Sequence, residues 1–318
     1  MALVTLAGAF FRFWQLWRFP VGFHFDEAAD LLDVAKLGPS FHPVYFAANN
    51  GREPLFLYWA ALFVNTIGFN VQAMRLAAAF VGVATIPAVY FCFAELLRKA
   101  EGTRHARTTA LFAAAVCAFL FMHVNFSRIG LRTISLPLAE CLAFGLLWLA
   151  MRRGRPWLFA TAGLVFAATM YTYTTARLLP PALALYGLYW LLLRRQLVYK
   201  KELGLWALAF AAGCLPLAIY ALIDPASFFQ RTNGLALTDR AAIWQNIVAM
   251  LKLPLVQGSL NGAHNVSGMP LFDWPMRVAF VIGLLILLTR LRQPAYVFVL
   301  IWAGAVAAAS VFSPDAPY

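Results

Sequence analysis

The sequence predicts an all-α, polytopic transmembrane bundle of about nine spans, with amphipathic juxtamembrane helices in the first external loop. Three observations carry this. The 318 residues are 63% hydrophobic and 12% charged, with mean hydropathy +0.74, whereas soluble domains average about 45–50% apolar and about 25% charged. The apolar stretches are long enough to cross about 30 Å of hydrocarbon. The basic residues collect in short clusters between those stretches, the arrangement that orients membrane proteins. A net charge of +12 would otherwise suggest nucleic acid, but the charges sit between apolar runs and about half fall in four short clusters of the kind that orients a membrane protein, so nucleic acid is not an expected partner.

In chain order the spans are read at 2–18, 71–97, 108–124, 135–151, 156–172, 180–193, 203–223, 276–289 and 295–312, each near the ~20 residues a tilted span needs. The start MALVTLAGAFFRFWQLWRF lacks a basic n-region and a small-residue cleavage site, so it reads as a retained span. Its short apolar part suggests that native N-terminal sequence is missing. Stretch 54–69, PLFLYWAALFVNTIGF, is too short and too polar at Asn65 to be an obvious span. Charge bookkeeping makes it interfacial. With 54–69 outside the count, Arg98/Lys99/Arg104/Arg107, Arg152/Arg153/Arg155, Arg194/Arg195/Lys200/Lys201 and Arg290/Arg292 all fall on the cytoplasmic side. Residues 1–318 then form one membrane-embedded domain, with a module over 1–223, an external loop over 224–275 and additional spans over 276–318. Cys92, Cys117, Cys141 and Cys214 lie inside apolar runs and read as buried small hydrophobes.

The external loops carry the chemistry. The first holds Asp26, Glu27, Asp30, Asp33 and Glu53, five of the thirteen acids in the chain. After Asp26 the apolar Ala28, Leu31, Leu32 and Ala35 recur at helical spacing with Asp30 and Asp33 opposite, which predicts a short amphipathic helix lying on the membrane. Asp26 and Glu27 stand at its start, where the helix dipole favours carboxylates; from spacing alone Asp26 is as well explained as a helix cap. The turn after the third span places Arg128 and Arg132 four residues apart on one face. A later turn adds Tyr171, Tyr173 and Arg177. External arginines run against the charge rule, although any single one is explained as an interface anchor. Guanidiniums converging from several helices, with Arg52 as a further member, make a phosphate site. A carboxylate beside such a site can take the proton of an acceptor hydroxyl.

At these residues the chain resembles the GT-C superfamily of polyprenyl-phosphate-sugar-dependent glycosyltransferases, the group of protein O-mannosyltransferases and the lipid A aminoarabinose transferase. FPVGFHFDEA (19–28) is similar to the family's first-loop acidic motif, NNGREPLFLYW (49–59) to the segment opening its second juxtamembrane helix, NFSRIGLRTISLPL (125–138) to its Ser-Arg turn, and YTYTTARLLP (171–180) to a tyrosine- and arginine-bearing turn of bacterial members. The resemblance covers about 1–223. It implies Asp26 as catalytic carboxylate with Glu27 as second acid, and Arg52 at the phosphate beside Arg128, Arg132 and Arg177. It also implies an undecaprenyl- or dolichyl-phosphate-linked sugar donor and inversion at the sugar carbon. Thr133 stands where many relatives have a further acid, with Glu53 or Glu27 the substitutes, and the chain ends at SPDAPY where many relatives continue, so a truncated form is expected.

The expected function is thus a membrane glycosyltransferase of the bacterial plasma membrane, active on the extracytoplasmic side. It moves a sugar from a polyprenyl-phosphate donor to a hydroxyl on protein, lipid or glycan, with Asp26 as general base and His24, Asn50, Glu53, Tyr171 and Tyr173 lining the donor and acceptor pocket. No motif requires a cofactor or a metal. The rival chemistry is a divalent cation held by His24 with Asp26 and Glu27, His42 and His264 being the other external histidines. The rival functions are a polyprenyl-linked glycan ligase or polymerase, and a lipid or solute transporter. A transporter predicts mid-span ionisable groups and two similar halves; only Arg12, Glu95 and Glu140 approach the first, and no repeat is visible.

Overall fold

A computed structural model of the chain describes residues 1–194, 199–234, 239–262 and 265–313. The regular structure among them is helical, apart from the isolated bridge pairs Gly38–Phe41 and Phe46–Arg52. Five helical segments are long and apolar enough to cross a membrane: Val71–Phe119, Arg132–Arg153, Thr174–Leu193, Lys200–Ile223 and Pro294–Val311. The chain divides into two compact units. The first comprises Met1–Phe119, His123–Thr174 and Tyr199–Arg231, and the second Leu120–Met122, Thr175–Val198 and Thr232–Tyr318.

In the first unit, α1 (Ala2–Phe13), α4 (Val71–Phe119), α6 (Ser135–Arg153), α7 (Pro156–Thr169) and α9 (Lys200–Ile223) pack side by side in that order. The 49 residues of α4 turn back at Gly102, whose φ of 75° breaks the helix in a region that only glycine enters freely. After the break, Ala106, Ala110, Ala114 and Ala118 are all fully buried. A methyl every fourth residue lets helices approach closely, the packing that serves apolar bundles lacking a water-driven core. Gly8 of α1 meets Ile86 and Ala118 along this line. Pro156 opens α7, where a missing N–H costs nothing, and Gly154 closes α6 with a left-handed φ of 64°.

Two shorter helices come from the first loop. The first, α2 (Phe25–Lys36), begins with a capping box in which His24 Nδ1 accepts from the Asp26 N–H and Glu27 Oε2 accepts from the His24 N–H. The other, α3 (Leu55–Ile67), has 13 residues, about 20 Å of helix and well short of ~30 Å of hydrocarbon. It packs between α2 and α4. Of the remaining helices, α5 (Phe121–Phe126) and α10 (Pro225–Gly234) straddle the division into units. The second unit holds α8 (Leu179–Tyr189), α11 (Arg240–Lys252), α12 (Trp274–Thr289) and α13 (Pro294–Val311), with α13 against α8 and α11.

Helix α2 departs from the expected orientation. Its buried residues are Glu27, Asp30, Leu31, Asp33 and Val34, while Phe25 and Leu32 are exposed. The acidic face turns inward because three arginines answer it there.

Candidate functional site

One end of the first unit gathers the end of α1, helix α2, residues 37–54, the starts of α3 and α4, the turn 127–134, residues 169–174 and the end of α9. The backbone locks these together, with the Leu55 N–H donating to the Tyr171 carbonyl at 2.9 Å. Arg52 is brought in by the tight turn Asn49-Asn50-Gly51, all three with positive φ (54°, 64° and 79°). The turn returns Arg52 to pair with Phe46. A Cβ at Gly51 would also collide with the Tyr45 ring.

Glu27 is fully buried and engaged at both oxygens. Oε1 accepts from Arg75 Nε at 3.0 Å and from the Gly130 N–H at 2.8 Å; Oε2 accepts from Arg75 Nη2 at 3.2 Å and from the His24 N–H at 3.1 Å. Arg75 completes the knot by donating to the Pro20 and Gly22 carbonyls, each at 2.7 Å. A buried carboxylate so fully supplied with donors joins α2, α4 and the 127–131 turn.

Three residues along α2 from Glu27, a second network begins at Asp30. Arg52, 2% exposed, donates from Nη1 to Asp30 Oδ1 at 2.6 Å and from Nη2 to Asp33 Oδ2. Lys36 also donates to Asp33, at 2.8 Å. Arg132, 5% exposed, stands with Nη1 3.8 Å from Asp30 Oδ1 and Nε 3.6 Å from Glu53 Oε2. Glu53 Oε1 accepts from Thr174 Oγ1 at 2.9 Å. The guanidiniums of Arg132 and Arg231 lie 5.5 and 5.4 Å from the centroid of the Tyr173 ring, and Arg231 Nη2 donates to the Tyr173 hydroxyl at 3.2 Å. Among the described residues, Asp30 Oδ2, Arg52 Nε and the Nε and Nη2 of Arg132 are buried without a hydrogen-bond partner. Burial pushes the Asp30 carboxyl above its ordinary value against the pull of Arg132 and Arg52, and the Asp26 carboxylate pushes it the same way.

Asp26 differs from its neighbours. Its side chain is 47% exposed, and its nearest basic group is His24 Nδ1, 4.0 Å from Oδ2. Among the described residues no arginine or lysine pairs with it. Its role as α2's first acid and its accessibility thus coexist, since the cap itself is supplied by His24 and Glu27.

Other expected residues fall elsewhere. Arg128 faces the end of α1, where Nη1 donates to the Phe11, Arg12 and Trp14 carbonyls (2.8, 3.2 and 2.8 Å) and Nη2 to the Phe19 carbonyl (3.0 Å). It closes the helix terminus, where a cation is favoured; burial and nearby Arg75 lower its pKa. Tyr171 donates its hydroxyl to the Gly213 carbonyl at 2.8 Å, tying the 169–174 turn to α9. Asn50 is exposed at the tip of its turn. Arg177 belongs to the second unit, where Nη1 donates to Thr232 Oγ1 at 2.9 Å. His24 caps α2, His42 is exposed, and His264 lies outside the described residues. Among the described residues no three His, Cys, Asp or Glu side chains are grouped to hold a metal ion.

Sequence reasoning missed the parts played by four residues. Asp30 and Asp33 read as a solvated face because amphipathic spacing carries no record of a partner 19 or 22 residues away. Arg75 sits in an apolar stretch, where an ionisable group is itself a signal. Arg231 lies in α10, within the 224–275 stretch that reads in sequence as an external loop with no motif. No protein-family model matches the chain, and no curated protein matches it.

Proposed function

We propose that this chain is a membrane-embedded glycosyltransferase of the GT-C type that takes a sugar from a polyprenyl-phosphate donor and passes it to an acceptor hydroxyl on the extracytoplasmic side. The single observation that carries this reading is the contrast among the five loop acids. Glu27, Asp30, Asp33 and Glu53 are buried beside arginines, and Asp26 alone is open to an incoming molecule.

The membrane reading draws on the helices themselves. Beyond the five long segments, the 49-residue α4 folds back on itself, and Ala2–Phe13, Pro156–Thr169 and Trp274–Thr289 are shorter apolar helices. Counted with the two halves of α4 and without Leu55–Ile67, which we keep at the interface, these are the nine spans of the proposed topology. Trp14, Trp17, Phe19, Phe23 and Phe25 are exposed around the end of α1 and the start of α2, as aromatic side chains are at a bilayer interface. At the other end of the first unit, Arg152 donates to both oxygens of Glu95 at 2.6 and 2.9 Å. That bond brings the 98–107 and 152–155 basic clusters to one side, which we assign to the cytoplasm.

In the reaction, Asp26 removes the proton from the acceptor hydroxyl as its oxygen attacks the anomeric carbon. The bond from that carbon to the phosphate oxygen breaks, and its electron pair leaves with the polyprenyl phosphate. A single displacement from the opposite face inverts the sugar carbon. Arg132 and Arg231, gathered at Tyr173, are the cations that answer the departing charge. Asp26 stands four residues before Asp30 on α2, and Arg132 Nη1 lies 3.8 Å from Asp30 Oδ1, which supports pairing this base with this cation. Arg52 and Glu27 serve as the frame beneath them. Arg177 enters on the sequence resemblance alone.

The test is transfer from a panel of polyprenyl-phosphate sugars by the purified protein. Asp26→Asn is expected to lower the rate about 10²–10⁴-fold while leaving the melting temperature unchanged, because the residue is half-exposed. Transfer by Asp26→Asn at the parent rate removes Asp26 from the base role.

A further inference from the structure

Away from the charge networks, at the opposite end of the first unit, a cavity of about 200 Å³ opens between the two halves of α4. One wall is a single face of the first half, Tyr90, Phe91, Ala94, Glu95 and Arg98, and the other is Thr103 and Arg107 after the Gly102 break. The polarity of the lining is graded. Aromatic rings stand at 90 and 91, a methyl at 94 and charges from 95 onward, over about 12 Å of helix from Tyr90 to Arg98. A soluble anion has no use for such a gradient, whereas an amphiphile matches it from chain to headgroup.

The charge of the cavity is also unbalanced. Glu95 is the only acid in its lining, and Arg152 satisfies it with two hydrogen bonds from outside the cavity. Arg98 Nη1 reaches Glu95 only at 3.9 Å. Arg107 makes no ion pair or hydrogen bond among the described residues. With Glu95 neutralised by Arg152, two guanidiniums remain at the rim, beside the N–H groups that begin the second half of α4. Such a rim favours a phosphate oxygen.

We propose that this cavity seats the phosphodiester of an anionic phospholipid, with the headgroup between Arg98 and Arg107 and an acyl chain along Tyr90 and Phe91. The inference rests on the membrane reading and not on the transfer chemistry, because none of these residues belongs to the candidate catalytic end. It gives the basic side of the bundle a defined lipid contact in addition to a diffuse attraction to anionic headgroups.

The test is native mass spectrometry and thermal melting of the detergent-purified protein, titrated with phosphatidylglycerol, phosphatidylcholine or glycerol 3-phosphate. Phosphatidylglycerol is expected to bind and stabilise in preference to phosphatidylcholine. Arg98→Gln/Arg107→Gln should reduce that preference about tenfold or more, since each surface cation contributes roughly fivefold. Arg153→Gln/Arg155→Gln, which removes the same two charges from the same end outside the cavity, should leave it unchanged. Ala94→Trp fills the wall while keeping both arginines, and should abolish the preference without a change in charge. Equal loss in Arg153→Gln/Arg155→Gln overturns the site in favour of a diffuse field. Equal affinity for glycerol 3-phosphate overturns the lipid in favour of a free phosphate, and retained binding in Ala94→Trp overturns the cavity.

Discussion

The arginines at the candidate site look alike in the sequence and differ once folded. Arg75 is a structural ion-pair partner, enclosed with Glu27, and removing one member leaves a buried uncompensated charge that costs about 3–5 kcal/mol. Arg75→Met is therefore expected to melt far below the parent. Glu27→Leu/Arg75→Met should recover much of the loss, because replacing both members by apolar groups removes the stranded charge. A double substitution that melts no higher than Arg75→Met contradicts the ion-pair assignment. Asp30 carries a pH signature. Its folded pKa is raised by burial, so the folded chain holds that proton more tightly than the unfolded chain does. The resulting stability is complete below the ordinary value of 3.8 and is lost as pH rises through the raised folded value. Melting temperatures measured upward from acid pH should therefore fall for the parent relative to Asp30→Asn across that interval. A constant difference between them would show that Asp30 has no shifted titration.

At the level of elements, the ends of helices decide which arginine does what. Arg128 donates four hydrogen bonds to carbonyls at and beyond the end of α1, so Arg128→Met should lower the melting temperature, with hydrogen exchange rising selectively in residues 10–19. A phosphate-contacting role would instead raise KM for the donor with the melting temperature unchanged. The existence of α2 was legible from its spacing, and its start from the acids after His24. Its inward face was not, because periodicity tells which residues share a side but not whether arginines wait there. Asn49-Asn50-Gly51 reads as a turn in either setting, yet only the fold shows that it delivers Arg52 to Asp30 and Asp33.

At the largest scale, the separation within the first unit of the basic 98–107 and 152–155 clusters from the mixed-charge networks sets the expected topology. With the four native cysteines replaced, a single cysteine at Asn50 should react with an impermeant maleimide on intact cells. One at Arg153 should react only after permeabilisation. Reaction of both from outside would end the assignment of sides.

Composition and charge placement determined the broad outcome by themselves: a helical chain with long apolar segments and basic residues between them. Those properties are local, since each stretch of about twenty residues carries its own hydropathy and each cluster its own sign. Tertiary structure alone decided which loop acid is accessible and which are buried, and that α2 turns its acids inward. The reason is that a buried charge depends on partners distant in sequence: Glu27 meets Arg75 and Gly130, separated from it by 48 and 103 positions, and no local pattern encodes such a meeting.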